Sequence, residues 1–175
     1  MCRIKVIFVS EEHLIQGNGG PLIVLQSSAV RRWNGAKNFE NSVMNGGWIE
    51  TDYDVICWAE EVSVIHRKER DMLVLSACEW PGSIRTLSSG EILIVQIFGS
   101  DLKSEELAQR ARERPPIQIF PFRLVDKALI LMVGANAGNN RHYGFSKVSI
   151  SPGAKLCEIY ACEDANIAVI RDRTG

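Results

Sequence analysis

Ile84-Arg85-Thr86-Leu87-Ser88-Ser89-Gly90-Glu91-Ile92-Leu93-Ile94-Val95-Gln96-Ile97-Phe98 is the stretch whose reading decides the fold class. Two runs rich in β-branched and apolar residues, 84–87 and 91–98, flank Ser88-Ser89-Gly90. Such runs favour extended backbone, and glycine supplies the positive φ that a tight reversal needs. The stretch therefore predicts an antiparallel hairpin. Upstream, Val62-Ser63-Val64-Ile65-His66 and Met72-Leu73-Val74-Leu75 bracket Arg67-Lys68-Glu69-Arg70-Asp71 and predict a second one. Residues 4–9 and 22–25 are further strand-like runs bounded by turn residues.

Downstream the cadence continues. Residues 117–120, 122–125 and 128–133 read as strands, and residues 134–140, rich in Gly and Asn, read as a loop. Residues 147–150 alternate, Ser151-Pro152-Gly153 turns, and 156–161 and 167–170 complete the set. One helix stands out near residues 102–113. Asp101 or Ser104 can cap it, Glu105 and Glu106 place negative charge in its first turn, and Leu107, Ala108 and Ala111 form an apolar stripe. Arg110, Arg112 and Arg114 load its C-terminal end before Pro115-Pro116 stops it. The pattern predicts a mainly β chain (α+β by count), with antiparallel sheets forming a sandwich or barrel-like core. A length of 175 residues suits a single domain. The helix marks a seam between a β region at 1–100 and another at 116–175, sharing one core. Residues 34–47 are polar and glycine-bearing, and read as an irregular loop or an excursion from the sheet.

Composition narrows the function classes. Twenty basic and twenty-one acidic residues leave a net charge of −1, so there is no global attraction to nucleic acid or to an anionic membrane. The basic start of residues 1–10 is interrupted by Lys5 and followed by Glu11-Glu12, which denies it the apolar core of a signal peptide. No apolar run approaches the roughly 20 residues of a membrane span. The expectation is a cytoplasmic protein. Its five cysteines, at 2, 57, 78, 157 and 162, show no CxxC spacing, and His13, His66 and His142 are scattered. Neither a metal site nor a cofactor is expected. Cys157 and Cys162, five apart, could approach one another.

Several motifs invite chemistry. Gly17-Asn18-Gly19-Gly20-Pro21 resembles a phosphate loop in composition, but proline and a β-type run follow it instead of a helix, so it reads as a turn into a strand. Asp52-Tyr53-Asp54 would put both carboxylates on one face of a strand, and Glu50, Glu60 and Glu61 make this region the most acidic of the chain. It can be a solvated edge, a partner-binding patch or an acid–base pair. Ser76-Ala77-Cys78-Glu79 could meet His66 across its hairpin, without any nucleophile-elbow pattern to support a hydrolase. All four tryptophans fall in the first 80 residues. Trp33 and Trp58 are expected in or near the core. Trp48, beside the polar excursion, and Trp80, beside a Pro-Gly turn, are expected to be the exposed pair.

The order of these pieces resembles one family. Gly19-Gly20-Pro21 leads into Leu22-Ile23-Val24-Leu25, then Trp33-Asn34-Gly35, then Asp52-Tyr53-Asp54-Val55-Ile56-Cys57. Leu73-Val74-Leu75, Pro81-Gly82 and Ile92-Leu93-Ile94-Val95-Gln96 follow. Over roughly its first two thirds, the chain is similar to the immunity protein 21 family of bacterial polymorphic toxin systems. It departs from that pattern at residues 36–48 and at Ala154, where the family tends to place an aromatic residue. The resemblance implies a non-enzymatic protein that occludes the active site of a cognate toxin, encoded in an adjacent gene. Against a basic toxin channel, Asp52, Asp54, Glu60, Glu61 and Glu50 would supply charge, and Trp48 and Tyr53 aromatic anchors. The alternatives are a β-sandwich module for a small ligand such as a carbohydrate, and a hydrolase built on Asp52 and Asp54 or on His66 and Cys78. The oligomeric state stays open.

Overall fold

The computed structural model describes residues 14–16, 20–33, 35, 52–59, 62–66, 71–76, 79–99, 103–135, 144–160 and 162–173. Over these residues the elements run β1 (Leu22–Gln26), α1 (Ser27–Val30), α2 (Asp52–Cys57), β2 (Val62–His66), β3 (Asp71–Leu75), β4 (Gly82–Thr86) and β5 (Ile92–Ile97). Then come α3 (Ser104–Arg112), β6 (Gln118–Leu124), β7 (Ala128–Val133), β8 (Phe145–Ser149), β9 (Gly153–Tyr160) and β10 (Ala165–Asp172). Two five-stranded antiparallel sheets result. The first has the order β2-β3-β1-β7-β8, the second β4-β5-β10-β9-β6. Each sheet takes strands from both sides of α3.

The sheets pack face to face as a sandwich. Leu22, Val24, Leu73, Leu129 and Leu131 of the first meet Ile92, Ile94, Phe122, Ala168 and Ile170 of the second. Position in the sheet explains the strand sequences. β1, β3, β5 and β7 are buried along their whole length, so they read as unbroken apolar runs. Both of their faces are covered, one by the opposite sheet and one by a helix or loop. The edge strands β2, β6 and β8 carry mixed patterns because one flank meets water.

Two expectations need amending. The pieces 117–120 and 122–125 form one strand, β6, which runs through Pro121. Proline is tolerated there because β6 is an edge strand, paired only to β9, and needs no N–H on its far side. On that side the Arg123 N–H donates to the Asp71 carboxylate at 2.5 Å. The Gln26 amide accepts from the N–H groups of Val125 (2.7 Å) and Asp126 (3.1 Å), and donates to the Arg123 carbonyl at 2.9 Å. Side chains of the first sheet thus seal the edge of the second.

The helix at 102–113 is α3, shorter by a few residues. Lys103 occupies the cap position, its backbone N–H held by the Glu106 carboxylate at 3.3 Å, and Ser104 is the first helical residue. Asp101 lies outside the described residues. The hairpin turn at Gly90 has the left-handed φ of 86° that its sequence demands. The strand-like run 4–9 and most of residues 34–47 and 134–140 also lie outside the described residues.

Candidate functional site

The acidic region read as a strand is a helix. α2 lies on the outer face of the first sheet, where Ile56 is fully buried and Tyr53, three residues earlier and so on the same helical face, is partly buried against the same cluster. Beneath them are Ile23, Leu25, Met72, Val74 and Met132. Trp33 completes this cover at 7% exposure, its indole N–H donating to the Gly134 carbonyl at 2.7 Å. Gly134 also donates its own N–H to the Pro21 carbonyl at 2.7 Å, and a Cβ there would collide with Ile56 Cδ1. Four segments distant in sequence therefore meet at one glycine.

With α2 fixed by Tyr53 and Ile56, the indole of Trp58 projects into solvent at 87% exposure. This corrects the expectation that Trp58 is a core residue. Trp33 is buried as expected, and Trp80 is exposed at 43%, its ring edge-on to Phe98 at 6.0 Å. Of the predicted interface residues, Trp48, Glu50, Glu60 and Glu61 lie outside the described residues. The backbone of Asp52, Tyr53 and Asp54 forms the first turn of α2, so the two-residue period of a strand does not apply there. Trp58 is what the sequence reading missed. A 3.6-residue period over 53–58 would have found it, because Tyr53 and Ile56 then share the buried face and Trp58 does not.

The catalytic alternatives find little assembly. His66 Nδ1 lies 2.9 Å from the Asp71 carboxylate, itself buried and engaged with the Arg123 backbone, and Cys78 lies outside the described residues. Among the described residues no group of three or more His, Cys, Asp or Glu could hold a metal ion. Cys157 and Cys162 are free thiols packed on opposite faces of the second sheet, Cys157 in the inter-sheet core and Cys162 on the α3 side. Burial pushes the Cys157 thiol up to about 12, which leaves it an inert core group. Among the described residues no helix is long and apolar enough to cross a membrane.

The outer face of the second sheet carries a polar network. Glu158 accepts from Arg171 Nε at 2.8 Å and from the Tyr160 hydroxyl at 2.8 Å. The Arg171 hydrogen bond holds the Glu158 carboxyl below its ordinary range, and Tyr160 assists. Burial, then the bond to Glu158, pushes the Tyr160 phenol up to about 12. Nearby, Arg112 of α3 pairs with Glu91 at 3.1 Å and Arg85 of β4 with Glu105 at 3.1 Å, tying the helix to the β4–β5 hairpin. Between helix and hairpin runs a groove of about 350 Å³, lined by Leu87, Leu93, Glu105, Ala108, Gln109 and Arg112.

Compared with protein-family models, curated proteins and solved structures, the chain matches none.

Proposed function

We propose that this protein acts by binding another protein, and that the partner is a bacterial toxin whose active site it covers without catalysing a reaction. The observation that carries the binding reading is Trp58, 87% exposed at the end of a helix otherwise anchored by its apolar face. Tryptophan is among the residues most enriched in binding hot spots, since one side chain removes a large apolar area from water and offers a donor. In sequence Trp58 falls inside the acidic stretch of residues 50–61, which puts an aromatic and several acidic residue types in one segment. That combination fits a basic partner surface, such as the substrate channel of a nuclease. The toxin as partner rests on the ordered elements of residues 19–96 that resemble immunity protein 21.

Among the described residues, the groove beside α3 is a candidate seat for a small ligand. Its charged rim of Glu105 and Arg112 suits that role less well than a concave apolar pocket would.

The test is co-expression with the C-terminal domain encoded by the adjacent gene, followed by titration calorimetry of the pair. Growth rescue and a complex weakened at least roughly tenfold by Trp58→Ala are expected. Absence of rescue and of binding removes the toxin reading. Binding that ignores Trp58 moves the interface elsewhere. A thermal shift with sugars, but none with the protein, favours the small-ligand module.

A further inference from the structure

We draw no further inference here: the strongest candidate, the Arg85 and Glu105 side-chain cluster at the first turn of α3, leaves Nε and Nη2 of Arg85 without a partner among the described residues, but Arg85 is already paired with Glu105 at 3.1 Å and does not line the neighbouring groove, so nothing in the structure shows what it would hold.

Discussion

On the outer face of the first sheet, Trp33 and Ile56 lie over Ile23 and Val74, with the indole N–H satisfied by Gly134 and the glycine left without a Cβ so that Ile56 can enter. On the outer face of the second sheet, α3 covers the middle strands, yet Ile119 on the edge strand and Val125 just past its end stay more than half exposed. Both sheets have apolar outer residues, but among the described residues only the first has a large aromatic and a loop-borne helix folded back over them. Coverage here follows the connections. The long link from β1 to β2 supplies Trp33 and α2, whereas the direct step from α3 through Pro115-Pro116 into β6 delivers nothing that could lie on β9 and β6. Among the described residues, one face is therefore covered across its middle strands by an aromatic and a helix, and the other by α3 alone.

That contrast can be broken first on the closed side. Trp33→Ala should cost about 3–5 kcal/mol in urea unfolding, since it removes a buried aromatic and strands the Gly134 carbonyl. Next, Leu107→Ala, which empties the centre of the α3 contact, should cost about 2–4 kcal/mol. A smaller loss is expected of Gly134→Ala, about 1–3 kcal/mol, because the new methyl must displace Ile56. On the open side, Ile119→Ser should change stability by no more than about 0.5 kcal/mol. A loss near that of Leu107→Ala would show that the β6–β9 face is closed after all.

The smallest effect is a pH signature. The Tyr160 phenol is raised from 10.0 to about 12 in the folded protein, so its contribution is fully present below pH 10 and is lost as pH rises toward 12. The Cys157 thiol, raised from 9.0 to about 12, acts in the same direction from pH 9. Denaturation midpoints should fall across that range, and Tyr160→Phe should flatten the part above pH 10. Glu158 works oppositely. Its lowered folded value means that its contribution is present above the unfolded carboxyl range and fades on acidification, a loss that Glu158→Gln should abolish.

Much of the sandwich was legible in local sequence, because a strand covered on both faces is an apolar run and its ends carry turn chemistry. Leu22 to Leu25, the two hairpins and residues 128–133 could be read in that way. Pro121 misled because a proline argues against a strand unless the strand lies on an edge, and edge position is a property of the whole sheet. The pairing of β1 with β7, a hundred residues apart, leaves no local trace either. At the candidate site the ambiguity was one of period. Asp52-Tyr53-Asp54-Val55-Ile56-Cys57 mixes β-branched and polar residues, and six residues are too few for periodicity alone to separate helix from strand. Only the apolar face beneath selects the helix, and with it the outward course of Trp58. The Glu158, Arg171 and Tyr160 network depends on β9–β10 register, which no motif announces.

The placement of β1 and β10 has a kinetic consequence. β1 is the middle strand of the first sheet and must wait for β7, while β10 is the middle strand of the second and follows every strand it joins. During synthesis, at about 5–20 residues per second, the β4–β5 hairpin would stand for several seconds before β10 exists. Neither sheet can close progressively from its amino-terminal end. Such non-local pairing places folding in the slow range of roughly milliseconds to seconds even after the chain is complete. An emerging chain of this topology is thus most exposed to misassociation just before its final strand arrives.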